Sequence, residues 1–281
     1  MSGRGPRPLP SRLERRNALF QQWQALLTNR SKRTRSGEML IQGVRPLTQA
    51  VAHGIELRAL LSDGRDQPSR WAQDLLRTAP CPVVMLAPEL MAELGEREDG
   101  PPELLALAAV PSDSLSRLDE VSPRLVVAFD RPGSPGNVGS LARTADALGA
   151  DALLLTGHSA DAWDPAAIRA STGSLFALPV LRVPSPRDVA EWVGRQRAQG
   201  EAWTVLGLDE AGGHELAQVD LTGPTLVVVG NETAGMSAAW REACDVIAEI
   251  PMTGTASSLN AAVAGSIALY EARRQRGAAR S

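Results

Sequence analysis

Lysine is almost missing from this chain: Lys32 is the only one among 281 residues. Schiff-base chemistry and P-loop phosphate binding are thereby excluded from the body of the protein, and arginine is left to meet any phosphate. Cysteine is nearly as scarce. Cys81 and Cys244 stand far apart and neither has a metal or redox spacing, so a reduced, cytoplasmic setting is expected. His53, His158 and His214 are isolated too, and no GxSxG elbow is present. A reaction without a metal is therefore expected. No apolar run approaches the roughly 20 residues of a membrane span, and none follows the basic N-terminus, so neither insertion nor secretion is expected.

What is present is an α/β pattern on a chain of net charge −3. That balance argues against a uniformly basic nucleic-acid binder and throws the weight onto local patches. Residues 1–36 form one: Arg4, Arg7, Arg12, Arg15, Arg16, Arg30, Lys32, Arg33 and Arg35 face the single acid Glu14. We read 1–36 as a basic extension, with a tail to residue 11 and a helix from Ser11. The basic run after Asn29 either closes that helix against its dipole or meets an RNA backbone. Residues 37–110 alternate short apolar runs with helical stretches and form a small α/β domain. Residues 111–122 lack periodicity and read as a linker. From 123 to 281 apolar runs separated by helices predict a mostly parallel sheet covered on both faces.

Three segments of this second half carry the chemistry. The first, PGNVGSLARTADALG, places Asn137 where a helix would be capped and Arg143 in its second turn. In the second, VVVGNETAGM, a buried strand ends in Gly230, Asn231 and Glu232, where open α/β sheets bind ligands. The third, IPMTGTASSLNAAVAGSIALY, passes from a short apolar run through a Thr/Gly/Ser-rich loop into a helix, with Ser257 or Ser258 as candidate caps. Leu259, Val263, Ile267 and Tyr270 mark one face of that helix, while Ala264, Gly265 and Ala268 leave a smooth one where another backbone could approach. Each segment taken alone also fits an ordinary capped helix or a solvated charge.

Together, NVGSLARTADALGA, VVGNETAGMS and IPMTGTASSLNAAVAGSIALYEA resemble the three motifs of the SpoU/TrmH family of SPOUT RNA 2'-O-methyltransferases, and MLIQGVRPLTQAVAHG resembles the substrate-binding domain of its ribosomal branch. The stretches FQQWQALL, FDRPGSPGNVGS, RASTGSLFALPV and RVPSPRDV are most similar to the avilamycin-resistance branch of actinomycetes. The resemblance implies a C-terminal trefoil knot, S-adenosyl-L-methionine as methyl donor and a homodimer. It implies 23S ribosomal RNA as the substrate, with a uridine as the target and resistance to a ribosome-directed antibiotic as the purpose. A transfer-RNA enzyme and a non-catalytic RNA-binding protein on the same fold are the alternatives. By motif position Gly230, Asn231, Ile250, Met252 and Leu259 would hold the cofactor, and Arg143 would activate the hydroxyl in a site shaped by Asn137, Glu232, Ser258 and Asn260.

Overall fold

The computed structural model describes residues 9–96 and 100–278. Residues 1–8 of the basic extension lie outside the described residues. The chain divides into two units: one runs to Pro111 and takes in Trp163–Arg169, and the other comprises Ser112–Ala162 and the chain from Ala170 on.

In the first unit, strands β1 (Arg12–Leu13), β2 (Glu38–Gln42), β3 (Leu57–Ser62), β4 (Val83–Leu86) and β5 (Leu104–Ala109) form one sheet in the order β1–β4–β3–β5–β2. The pairs β1–β4 and β3–β4 are parallel, whereas β5 runs antiparallel to both β3 and β2. Helices α1 (Ala18–Thr28), α2 (Arg30–Ser36), α3 (Val44–Ala52), α4 (Arg70–Thr78) and α5 (Pro88–Gly95) complete the unit, together with the start of α8 (Pro165–Ser171). Residues 11–13 do not begin a helix. They add an edge strand to β4, and α1 starts only where the Asn17 side chain accepts from the Phe20 amide at 3.0 Å.

Nor is the segment before residue 37 an appendage. Phe20, Trp23, Leu26 and Leu27 recur at helical spacing and are buried against Leu40, Leu61 and Leu107 of the sheet, so α1 belongs to this core. Arg33 leaves the basic patch as well. Its side chain is 3% exposed, Nη1 donates to the Leu26 and Leu27 carbonyls at the end of α1, and Nη2 pairs with Asp164 at 2.9 Å. A buried guanidinium needs such partners, and these are the carbonyls a helix end leaves unsatisfied. Lys32 and Arg35 on the same helix are exposed.

The second unit is built on β6 (Leu125–Asp130), β7 (Ala152–Thr156), β8 (Val180–Val183), β9 (Thr204–Leu208), β10 (His214–Glu215), β11 (Thr225–Val229) and β12 (Val246–Glu249). All pairs in this sheet are parallel and the order is β10–β12–β9–β11–β6–β7–β8. The expected parallel sheet is therefore present. Its helices are α6 (Ser116–Val121), α7 (Pro135–Ala147), α9 (Ser174–Ala177), α10 (Pro186–Ala198), α11 (Ala238–Ala243) and α12 (Ala261–Ala278), with the rest of α8. Residues 112–122 are not a bare linker. Leu118 of α6 is fully buried in this unit's core, and the Trp192 indole donates to Asp119 at 3.2 Å.

On α12 the close approach expected at the small-residue face is present. The smooth face is the buried one: a Cβ on Gly265 would come within 2.9 Å of both Leu141 on α7 and Val229 on β11. Val263 and Tyr270 instead stand 47% and 60% exposed. Small residues let α12 lie close to its neighbours inside the unit, where Leu269 is also buried, while Val263 and Tyr270 stay outside. Among the described residues no helix is long and apolar enough to cross a membrane.

Candidate active site

Because β12, β9 and β11 are adjacent and parallel, their carboxyl ends open on one edge of the sheet. There Val229 is level with Leu208, and Leu208 with Ala248. The chain leaves all three strands into loops, and these loops enclose a cavity of about 370 Å3. That lies in the ~300–1,000 Å3 range of small-molecule sites. Leu208, Val229, Ile250, Met252 and Leu259 supply apolar wall, while Asp209, Glu210, Glu232 and Arg241 supply charge. Seven of the residues expected at the site line this one space: Gly230, Asn231, Glu232, Ile250, Met252, Ser258 and Leu259.

Gly230 is glycine for want of room, since a Cβ there would meet the Gly235 carbonyl carbon and the Met236 nitrogen at 2.6 Å. The loop beyond it folds back on itself. Asn231 and Gly235 exchange backbone hydrogen bonds of 3.0 and 3.1 Å, and the Asn231 side-chain oxygen accepts from the amides of Thr233 and Ala234 at 2.9 Å.

Glu232 projects from this loop into a network that joins all three segments. Its carboxylate accepts from Asn137 Nδ2 at 2.8 Å, the Gly133 amide at 3.1 Å and Asn231 Nδ2 at 3.3 Å. A carboxylate only accepts, so the Asn137 amide must turn its NH2 toward it and its oxygen away. That oxygen receives Asn260 Nδ2 at 3.2 Å. Asn260 in turn offers its own oxygen to the amides of Ala262 and Val263 at 3.0 and 3.3 Å, and so caps α12. Burial pushes the Glu232 carboxyl up, but hydrogen bonds from Asn137, its own amide and Gly133 outweigh it and leave the group below the ordinary carboxylate value. Glu232 is therefore ionised at neutral pH and fixes orientation as an acceptor.

Two caps differ from expectation. Ser134, with Pro135 as the first helical residue, caps α7, its hydroxyl accepting from the Asn137 amide at 3.4 Å. Asn137 thus lies inside the first turn, with its side chain released for Glu232. Asn260, not Ser257 or Ser258, caps α12; both serines are exposed in the preceding loop.

Arg143 stands apart from the network. It lies six residues beyond Asn137, about 9 Å further along the helix and about a third of a turn around it. The side chain is exposed and, among the described residues, makes no hydrogen bond or ion pair. Sequence reasoning missed the acids at the strand ends, Asp130 after β6's apolar run and Asp209 after that of β9. Their signal was an apolar run closing on Asp at the ligand-binding edge. Asp209 holds Arg241 at 2.5 Å beside the cavity, and Asp130 is fully buried.

Comparison with known proteins gives the following. Residues 17–106 match the SpoU L30e-like domain, and residues 124–270 match the SpoU rRNA Methylase family. The 23S rRNA (uridine(2479)-2'-O)-methyltransferase of Streptomyces viridochromogenes is 53% identical over 97% of this chain and 96% of its own. RlmP of Bacillus subtilis, a 23S rRNA (guanosine(2553)-2'-O)-methyltransferase, is 32% identical over 92% of this chain and 97% of its own. The crystal structure of the SpoU methyltransferase AviRb from Streptomyces viridochromogenes in complex with AdoMet superposes with a TM-score of 0.88 at 54% identity, covering 93% of this chain and 98% of that one.

Proposed function

Given that this chain belongs to the SpoU rRNA methylase family, we propose that it methylates a ribose 2'-hydroxyl of 23S ribosomal RNA with S-adenosyl-L-methionine as donor. The observation that carries the reading is the single cavity at three neighbouring strand ends, joined through Glu232, Asn137 and Asn260 to all three motif segments. The cavity suits this cofactor. Apolar walls from Ile250, Leu259 and Val229 offer a place for an adenine ring, and Gly230 admits close backbone approach. The acids Asp209 and Glu232 offer acceptors to hydroxyl and ammonium groups, with Gly230, Asn231, Ile250, Met252 and Leu259 as the holding residues.

When bound, the cofactor supplies a methyl group on a sulfonium, open to in-line attack. The chain's task is to align a hydroxyl with that methyl group, which can be worth roughly 7 to 11 kcal/mol in favourable cases. Asn260 and Asn137, locked through Glu232, present a rigid polar wall for the ribose. A guanidinium offers five donors and no acceptor, so Arg143 is suited to hold an anion and not to act as a base. It serves as a phosphate clamp and stabilises the developing alkoxide while the proton leaves to water. Arg143→Lys keeps a charge but loses the fork, and it is expected to cut kcat/KM at least 100-fold. Retention of most activity in a single-turnover assay removes Arg143 from the mechanism.

The finer parts of the reading follow from particular features. A uridine target and a role in antibiotic resistance rest on the likeness to the Streptomyces uridine enzyme. A ribosomal RNA substrate goes with a cytoplasmic setting. The first unit binds RNA, with the exposed Lys32 and Arg35 among its phosphate contacts. A homodimer forms through the catalytic unit, for which the exposed Val263 and Tyr270 on α12 offer an apolar strip. The trefoil knot is supported by β11 lying between β9 and β6 and by the chain's return from β12 to pack α12 on β11 and α7.

Methyl transfer from labelled S-adenosyl-L-methionine to large-subunit RNA, small-subunit RNA and bulk transfer RNA tests the whole. Label in a 2'-O-methylated nucleoside of the large-subunit RNA alone is the expected result. Label in transfer RNA alone overturns the substrate, and an absence of label together with an absence of cofactor binding overturns the activity.

A further inference from the structure

Strand β6 is apolar until its last residue, and that residue is an acid with no exposure to water. A buried carboxylate must be compensated on each oxygen. Asp130 is: Oδ1 accepts from the Thr156 hydroxyl at 3.1 Å, and Oδ2 accepts from the Ser237 amide at 2.8 Å and from Arg131 Nε at 3.0 Å. The Thr156 oxygen is itself held by the buried Trp240 indole N–H at 2.9 Å. Since an indole only donates, the hydroxyl proton is directed to Asp130.

Arg131 extends this buried centre to the loop after β11. Its Nη2 donates to the Gly235 carbonyl at 2.9 Å, while its own carbonyl accepts from Asn231 Nδ2 at 2.7 Å. One residue thus grips both ends of the Asn231–Gly235 turn that carries Glu232. The grip is held under strain. Arg131 has φ +50°, a left-handed conformation that non-glycine residues seldom adopt, and its amide is tied to the Thr156 carbonyl at 2.9 Å. Its stem crosses Gly157, where a Cβ would come within 2.7 Å of Arg131 Cγ. Neither Asp130 nor Arg131 lines the cavity.

We infer that Arg131, seated on buried Asp130, is a positioning residue for methyl transfer: it sets the Asn231–Gly235 turn, and through it the cofactor-binding wall and Glu232. The inference rests on the cavity being the donor site. Arg131→Met is expected to weaken S-adenosyl-L-methionine binding at least tenfold in calorimetry, with RNA affinity unchanged. Arg131→Lys should fall between, since a point charge can reach Asp130 or the Gly235 carbonyl but not fork to both.

Hydrogen exchange without cofactor supplies the second readout. Faster exchange confined to the amides of residues 231–237 in Arg131→Met upholds the brace. Parental cofactor affinity in that variant overturns the inference. So does a loss spread over RNA binding and all core amides, which marks a general structural role. Should the parent protein itself fail to bind S-adenosyl-L-methionine, the functional reading falls and the exchange data alone decide: loop-confined acceleration keeps the brace, and parental rates overturn it.

Discussion

Two of the three loops that enclose the cavity are built in opposite ways. Residues 231–237 close on themselves through backbone and Asn231 side-chain bonds and are tied to β6 by Asp130 and Arg131. Residues 251–258 are all exposed and, among the described residues, make no hydrogen bond. Both serve one cavity. One wall is therefore set before any ligand arrives, and the other is held by chain continuity between β12 and the Asn260 cap. A site assembled in this way combines a fixed reference with an entry path. The stitched loop carries the carboxylate whose orientation matters for alignment. The open loop contributes Met252, Ser257 and Ser258, which can settle on a cofactor after it enters.

The sharpest way to break this contrast is to disturb the stitched loop at its centre. Glu232→Gln is isosteric but replaces one accepting oxygen with an NH2, so a donor meets the Asn137, Asn231 or Gly133 donors. We expect about a 100-fold fall in kcat/KM, of the order that lost electrostatic alignment commonly costs. A fall under threefold would mean that the network does not align the reactants. The carboxyl should not itself shape the pH profile near neutrality. Its folded value lies below the ordinary one. Its stabilising share is complete above the unfolded value of about 4.3 and is lost only as pH falls through the lower folded value.

Next in size is Asn260→Ala, at the junction between the two loops' territories. It removes a helix cap, a loss of about 1 kcal/mol in stability. It also frees Asn137 from its second partner. Activity should therefore drop about tenfold or more while the melting temperature moves by only a few degrees. Equal proportional losses in a thermal scan and a methylation assay would reduce Asn260 to a cap.

These residues were the legible part of the site. Gly230, Asn231, Glu232, Ile250, Met252, Ser258 and Leu259 follow strand ends or precede a helix, and strand ends and helix starts are what apolar runs and capping residues report. The parallel sheet was legible for the same reason, in runs such as Leu125–Asp130 and Thr225–Val229. What the sequence hid was set by tertiary packing. Arg33 sits in a basic run that reads as a solvated face, yet the carbonyls of Leu26 and Leu27 and the distant Asp164 bury it. The buried face of α12 was hidden too, because Ala and Gly signal closeness without saying to what. Here they meet Leu141 and Val229. Asp130 and Arg131 are neighbours in sequence, but Thr156, Gly235 and Ser237, which give them meaning, lie far along the chain.

The smallest expected effect bears on the open loop. Residues 251–258 include Thr253, Gly254, Thr255, Ala256 and two serines, all exposed, and exposed backbone with small side chains is where proteases cut. Elastase, which prefers small residues, should nick this segment first, and saturating S-adenosyl-L-methionine should slow the nick several-fold. Residues 231–237 also offer small side chains at Thr233, Ala234, Gly235 and Ser237, but their backbone is already bonded, so they should resist cutting with or without the cofactor. If the cofactor protects both loops equally, both are ordered by the ligand and the fixed wall does not exist. If it protects neither, residues 251–258 keep their shape by packing alone. Protection confined to 251–258 would make the β12–α12 loop the part of the site that closes, over a wall already held in place from β6.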